Sequence, residues 1–143
     1  NSVSVHVRRG DYISLPANSN LGICSLMYFH SAMALMRERV QSPQFFIFSD
    51  DLDWCRAHLS AEDVEFVDAN STNNAINDLK LMSACQHQVV SNSSFSWWAA
   101  WLARGRITIV PTPWFDSQPS ARVFPKGWIR VGRDDGKLHD SSS

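Results

Sequence analysis

The sequence predicts an α/β fold: a Rossmann-like parallel sheet of about five strands with helices on both faces. Short apolar runs alternate with amphipathic helical segments between residues 3 and 110, which is the pattern of parallel strands joined by crossover helices. Residues 45–48 form an uninterrupted apolar run, as in a strand that is covered on both faces. The two observations together favour a sheet that lies between two layers of helices.

The composition is that of an ordinary globular domain. At 143 residues, the chain can bury one sizeable core. The hydrophobic fraction is 44%, the charged fraction is 19% and the net charge is −1, which argues against a general binder of nucleic acids or membrane surfaces. No apolar run approaches the roughly 20 residues that span a bilayer, and no signal-peptide pattern is present. Because the first residue is Asn1 rather than Met, we expect a piece of a longer protein.

Neither the cysteines nor the histidines indicate a metal site. Cys24, Cys55 and Cys85 are odd in number and lack metal-ligand spacing. Each lies in an apolar or helical pattern, so we expect buried, reduced thiols. The five histidines are scattered along the chain and form no cluster. We therefore expect no bound metal.

The predicted elements follow one another in regular order. Ser25 can cap the first helix, and Asp50 or Asp51 can cap the second. Prolines interrupt regular structure after Pro111, and the polar residues 132–143 are expected to form a disordered tail. Strands are predicted at residues 3–7, 44–49, 64–67, 88–91 and 107–110, and helices at about 25–40, 52–59, 75–85 and 95–103. In the last helix, Trp97, Trp98 and Trp101 are expected to pack in the core.

Two adjacent arginines, Arg8 and Arg9, follow the first predicted strand. Arginine presents a planar fork of donors that fits phosphate oxygens and stays charged at any relevant pH. One interpretation is a phosphate or carboxylate clamp at the end of a central strand. The alternative is a surface turn in which the arginines pair with Asp11 and Gly10 supplies the bend.

Polar segments also follow the second, third and fourth predicted strands, at residues 49–51, 68–74 and 91–94. In open parallel sheets, ligands bind outside the carboxyl ends of the strands, so these segments converge on one edge and favour the clamp. Ser93, Ser94 and the main chain at Phe95 begin a helix and could hold a phosphate, although an ordinary serine cap is the alternative. The chain has neither a Walker-type loop nor a G-x-G-x-x-G fingerprint. The ligand that remains consistent with these features is a nucleotide-sugar whose diphosphate is the leaving group.

Two long motifs resemble those of a known family. Residues 6–12, HVRRGDY, resemble the H-x-R-R-G-D-Y motif of the α-1,2-fucosyltransferases of glycosyltransferase family 11. Residues 91–98, SNSSFSWW, resemble that family's later S-N-S-[ST]-F-S-W-W motif. Residues 48–51 and 77–82 match in order and approximate spacing, and the resemblance covers about residues 3–131.

The resemblance implies an enzyme that transfers fucose, with inversion, from GDP-fucose to a galactose-containing glycan. It implies a GT-B-like architecture, in which residues 1–131 would be the GDP-fucose-binding half. An N-terminal domain that helps to hold the acceptor would be missing from this chain, and no metal or other cofactor is expected. A cytoplasmic, membrane-associated bacterial enzyme is one expectation for the location, and the Golgi lumen is the alternative for a eukaryotic one.

The resemblance also implies roles for residues of the first motif. Arg8 would bind the β-phosphate and stabilise the departing GDP. Arg9 would either contact the donor or pair with Asp50 or Asp51 and hold the loop. Asp11 would act near the acceptor as a candidate general base, with a loop-fixing role as the alternative.

The remaining implied contacts are with the nucleotide. His6 and Asp78 would lie near the guanine, with Asp78 accepting hydrogen bonds from its ring N–H and amino group. Ser93, Ser94 and Phe95 would complete the pocket. Two alternatives remain for the chain as a whole: a non-catalytic module that binds GDP or a GDP-sugar, and a purely structural α/β domain.

Overall fold

The structure, a computed structural model, describes residues 1–9, 23–68, 75–103, 106–114 and 124–139. Within these residues there are four helices: α1 (Leu26–Arg39), α2 (Leu52–His58), α3 (Ala75–Ala84) and α4 (Ser94–Ala103). The strands of the described part are β1 (Ser2–Val7), β2 (Gln44–Ser49), β3 (Val64–Phe66), β4 (His87–Val89), β5 (Ile107–Thr112), β6 (Ile129–Gly132) and β7 (Leu138–His139).

The strands form one sheet in the order β3-β2-β1-β4-β5-β6-β7. Strands β1 to β6 are parallel, and β7 runs antiparallel to β6. The predicted Rossmann-like α/β fold is therefore confirmed. The order of the first six strands is that of the doubly wound folds, and it reverses between β1 and β4. Ligands of such sheets bind at the carboxyl ends of the strands at this reversal.

The sheet has helices on both faces, as predicted. Val3, Val5 and Val7 of β1 are buried in one cluster with residues of α1 and α2. On the opposite face, Phe48 of β2 packs with residues of α3 and α4. This alternation follows from the two-residue period of a strand. The other residues of the second cluster include Met82, Leu79, Phe95 and Ala99.

Two helix starts agree with the sequence prediction. The Ser25 side chain caps α1 by accepting a hydrogen bond from Tyr28 N at 3.1 Å. Asp51, rather than Asp50, caps α2 by accepting from Trp54 N at 3.2 Å. Because a cap satisfies a main-chain N–H that has no partner inside the helix, these residues fix where α1 and α2 begin.

The prediction of a disordered tail from residue 132 is wrong for residues 132–139. These residues complete β6, turn back and add β7 to the sheet edge. Arg133 is only 6% exposed, and its carbonyl accepts from Ser25 N at 2.9 Å. The Ser25 hydroxyl donates to Asp134 O at 2.9 Å. The turn is ordered because it packs on the start of α1, a tertiary contact that polar composition does not reveal; residues 140–143 lie outside the described part.

The prediction that all three tryptophans of α4 lie in the core is wrong for two of them. Trp98 is 53% exposed and Trp101 is 48% exposed, whereas Trp97 is partly buried. The helix instead buries its small residues, Ser96, Ala99 and Ala100. Small side chains allow α4 to approach the sheet closely, so the larger rings lie on its other sides.

The cysteine prediction is confirmed, since Cys24, Cys55 and Cys85 are buried free thiols. Among the described residues, no helix is long and apolar enough to cross a bilayer.

Candidate functional site

The arginines after β1 face aspartates after β2. The sheet register pairs Val7 with Ser49, so the next two residues of each segment lie opposite one another. Arg8 Nε is 3.8 Å from Asp50 Oδ2, and Arg9 Nε is 3.9 Å from Asp51 Oδ2. The two cations are therefore matched, one to one, by two carboxylates at the carboxyl edge of the sheet.

The two arginines differ in their surroundings. The Arg9 guanidinium lies over the Trp54 ring, with 3.9 Å between its central carbon and the ring centroid. Its side chain is 20% exposed, against 31% for Arg8. The ring and Asp51 together hold Arg9, which is the loop-holding role considered for this residue. Arg8, beside the reversal between β1 and β4, is the more accessible of the two cations.

The segment after β4 is buried and internally hydrogen-bonded. Ser91, Asn92 and Ser93 are almost completely inaccessible. Ser93 N donates to Ser91 O at 2.8 Å, and Ser91 N donates to the Ser96 hydroxyl at 3.2 Å. The Ser93 carbonyl then accepts from Trp97 N at 3.0 Å, which starts α4. This loop therefore holds the N-terminus of α4 in a fixed place beside the end of β1.

His6 connects β1 to this loop. Its Nδ1 lies 2.8 Å from the Ser91 hydroxyl, and its ring centroid is 5.6 Å from that of Phe95. Burial, and secondarily the charge of Arg8, lowers the pKa of His6 to about 4, against an opposing effect of Asp50. The ring is thus neutral at physiological pH. Its predicted contact with guanine stays a prediction.

The other predicted nucleotide contacts occupy the first turns of two helices. Asp78 lies in the first turn of α3, where burial raises the pKa of its carboxyl group. Ser94 is exposed at the first position of α4, and Phe95 packs partly buried against the core. Both helices follow parallel strands, so their N-termini lie at the same edge as Arg8. Asp11, the candidate base, lies outside the described residues.

Charge at this edge is distributed unevenly. Beyond β2 and β3 there is a cleft of about 330 Å³, and the charged side chains that line it are Asp50, Asp51, Asp53, Asp68 and Arg56. Beyond β4, the exposed and buried side chains of the loop are uncharged hydroxyls and an amide. The β2–β3 side therefore carries an excess of carboxylates, whereas the N–H groups at the start of α4, on the other side of Arg8, favour negative charge.

Sequence reasoning missed several partners at this edge. It did not assign Ser91 and Ser96 as the hydrogen-bonding partners that hold the β4–α4 loop, nor did it place Arg133 beside the start of α1. One signal was available for the arginines: Arg8-Arg9 and Asp50-Asp51 each follow directly on the end of a strand. Neighbouring parallel strands with such endings predict two ion pairs. No comparable signal was available for Arg133.

The described residues thus define a doubly wound α/β domain with Arg8 and the N-terminus of α4 at the carboxyl edge of its sheet. The family model of Glycosyl transferase family 11 matches residues 1–132. An alpha-1,2-colitosyltransferase of Escherichia coli is 40% identical over 141 residues, which cover 92% of this chain and 48% of that protein. The O-antigen biosynthesis glycosyltransferase WbnK of the same species is 35% identical over 92% of this chain and 45% of its own length.

Mammalian proteins match as well. A galactoside alpha-(1,2)-fucosyltransferase 2 of Bos taurus is 32% identical, covering 92% of this chain and 41% of that protein. No solved structure gives a significant match. The chain belongs to glycosyltransferase family 11, as the motif resemblance predicted. It spans less than half the length of each of these relatives.

Proposed function

We propose that this chain is the donor-binding part of a galactoside α-1,2-fucosyltransferase. The enzyme would transfer fucose from GDP-fucose, with inversion, to a galactose-containing glycan. The observation that carries the proposal is the position of Arg8, a partly exposed guanidinium at the strand-order reversal, beside a buried loop that begins α4. Membership of the family and the fucosyltransferase names of several relatives support it.

In this proposal, Arg8 acts where charge develops during the reaction. As the acceptor hydroxyl attacks the anomeric carbon, the bond to the β-phosphate breaks and negative charge grows on GDP. A preorganised guanidinium then binds the transition state more tightly than the ground state. Ser93 and Ser94 at the start of α4 would complete the phosphate site. The proposal requires no metal.

The guanine would lie toward the first turns of α3 and α4. Asp78, as its carboxylate, would accept hydrogen bonds from the ring N–H and the amino group. Phe95 and His6 would flank the base, and Arg9 would support Arg8 from its place on Trp54. Asp11 is the proposed base, and it is chosen because it follows Arg8 by only three residues in the sequence.

The remaining polypeptide of the full-length enzyme would hold the acceptor. Relatives of this family are more than twice as long as the segment that they share with this chain. We propose that an N-terminal domain of the same enzyme meets the carboxyl edge of the sheet beside Arg8, so that the acceptor hydroxyl approaches the bound donor from that side.

Calorimetry of GDP and GDP-fucose with the 143-residue chain tests donor binding. We expect both ligands to bind, and Arg8→Ala to weaken each by about tenfold or more, because a hydrogen bond to a charged group contributes about 1.5–3 kcal/mol. Arg39→Ala, on the exposed end of α1, is the matched control and should bind normally. Absence of GDP binding by the unaltered chain would reject the donor-binding role.

Transfer by the full-length enzyme tests catalysis. Arg8→Ala should lower the transfer rate by about 10²–10³-fold, the usual cost of removing one donor to a developing anion. If transfer continues at nearly the normal rate, Arg8 does not stabilise the leaving group. Donor binding without any transfer by the full-length enzyme would favour the non-catalytic GDP-binding module.

A second candidate concerns the sugar. The relative that is 40% identical is named a colitosyltransferase, whereas the fucosyltransferases among these relatives are 32–35% identical. We therefore propose colitose as the alternative sugar to be transferred. A competition assay that offers the full-length enzyme equal amounts of both donor nucleotide-sugars decides between them by the product formed.

A further inference from the structure

We propose that Asp50 is a positioning residue that orients Arg8 toward the donor. The inference rests on the proposed function and adds a residue to it. Asp50 Oδ1 accepts a hydrogen bond from Arg9 N at 2.9 Å, and Asp50 Oδ2 lies 3.8 Å from Arg8 Nε. One carboxylate thus contacts both the main chain after β1 and the guanidinium that would grip the phosphate.

Asp50 is itself held in place by the sheet. The Ser49 hydroxyl donates to Val7 O at 2.6 Å and accepts from Asp51 N at 2.9 Å. The ends of β1 and β2 are therefore tied on both sides of Asp50. A carboxylate on such a rigid support can define the direction of a neighbouring guanidinium before any ligand arrives.

The neighbouring pair serves as an internal comparison. Asp51 accepts from Trp54 N and caps α2, while its other oxygen faces Arg9, which lies on the Trp54 ring. Asp51 therefore stabilises the start of α2 and the less exposed arginine, Arg9. Asp50 contacts the main chain and the accessible arginine instead. At 3.8 Å, its contact with Arg8 is an attraction between charges that is longer than a hydrogen bond.

The test compares GDP with GMP, because only GDP has the β-phosphate that Arg8 would bind. Asp50→Asn keeps an acceptor for Arg9 N but removes the charge that attracts Arg8. We expect this variant of the 143-residue chain to bind GDP about tenfold more weakly and GMP within twofold of normal. Simple electrostatics predicts the opposite, since loss of a carboxylate should tighten the binding of an anion.

The control variant Asp53→Asn carries the same change of charge at a side chain that is 99% exposed. It should keep the normal ratio of GDP to GMP affinity within twofold. In addition, the double variant Arg8→Ala/Asp50→Asn should bind GDP no more weakly than Arg8→Ala, because Asp50 acts through Arg8.

Two results would overturn the proposal. One is GDP binding by Asp50→Asn that is as tight as normal or tighter. The other is a parallel loss of GDP and GMP affinity, which indicates a merely structural role. If the unaltered chain binds neither nucleotide, the donor-binding role fails and the NMR signal of the Arg8 Nε–H group decides the positioning separately. Asp50→Asn should then shift this signal and Asp53→Asn should not; an unchanged signal in Asp50→Asn rejects the inference.

Discussion

At the scale of single residues, His6 shows how burial determines the chemistry of a polar side chain. The ring is 6% exposed between two strands and the α4 helix, and its Nδ1 contacts Ser91. A charged imidazolium in this place would lose its hydration. Among the contacts described, no carboxylate lies at hydrogen-bonding distance to compensate, and the positive charge of Arg8 would repel it. The pKa of His6 is accordingly lowered to about 4.

This shift predicts that the domain loses stability in mild acid. The unfolded chain takes up a proton at His6 near pH 6.5 and the folded chain only near pH 4. The stability that His6 provides is therefore complete above pH 6.5 and is lost as the pH falls toward 4. We expect the free energy of unfolding in urea to fall by about 2 kcal/mol between pH 7.5 and 5.

The contribution of His6 should be absent in His6→Asn, which can still hydrogen-bond Ser91 but does not titrate. His87, whose pKa is also lowered by burial, accounts for a decrease that remains in this variant. His139→Asn is the control, since His139 is exposed in the edge strand β7, and this variant should keep the decrease. Equal pH dependence in His6→Asn and the unaltered chain would show that His6 is accessible to protons in the folded state.

His6 also shows which contacts of the site could not be predicted from the sequence. The importance of Arg8 was predictable, because an arginine directly after an apolar strand is costly to place unless a phosphate or a carboxylate pairs with it. The contact of His6 with Ser91 was not predicted, because it depends on β4 lying beside β1, and strand order is not visible in a linear pattern. The choice between Asp50 and Asp51 as partner of each arginine likewise depends on a register that changes with a shift of one residue.

At the scale of elements, α1 is joined to the centre of the sheet by one buried hydroxyl. The Tyr28 hydroxyl donates to Val90 O at 2.5 Å and lies 3.3 Å from Ile109 O. Tyr28 is fully buried, and burial raises its pKa well above the ordinary value, so that the group remains a donor. Ile109 O also accepts from Val90 N at 2.8 Å. The hydroxyl thus bridges α1 to β5 and to the residue that directly follows β4, beside the candidate site.

Tyr28→Phe should lower the free energy of unfolding by about 1–3 kcal/mol, because it removes the donor to Val90 O while leaving the ring in place. Urea unfolding at pH 7.5 measures the change. Ser60→Ala is the control: it removes a hydroxyl that donates to Arg56 O on the exposed surface, and a change within about 0.5 kcal/mol is expected. Equal effects of the two substitutions would contradict a bridging role for Tyr28.

The helices and strands that were predicted from the sequence are those in which the apolar residues repeat regularly over a long segment. The helix predicted at about 25–40 and the strand predicted at 44–49 agree with α1 and β2 because each carries the period of its structure over at least six residues. β6 and β7 were missed because they have four and two residues and follow a proline-rich stretch. Such short strands form because a neighbouring strand is already in place, and not because of their own pattern.

At the scale of the whole molecule, the segment with β6, β7 and the turn between them connects the edge of the sheet to α1. The turn between β6 and β7 supplies two carbonyls to Ser25, and Gly136 packs against α1. Gly136 has φ +69°, and a Cβ there would lie 2.6 Å from Met27 O and 2.5 Å from the Ser31 hydroxyl. The main chain at residue 136 thus approaches α1 more closely than a residue with a Cβ atom would permit.

Gly136→Ala should therefore destabilise the whole domain by about 3 kcal/mol, from left-handed strain together with overpacking against α1. Gly127→Ala is the matched control, because Gly127 also has a positive φ, +96°, but no atom lies within 4 Å of its would-be Cβ. Strain alone should cost it about 1 kcal/mol. Both values come from urea unfolding at pH 7.5. Similar losses for the two variants would mean that the turn moves away from α1 at little cost, and that the contact with Ser25 does not stabilise the domain.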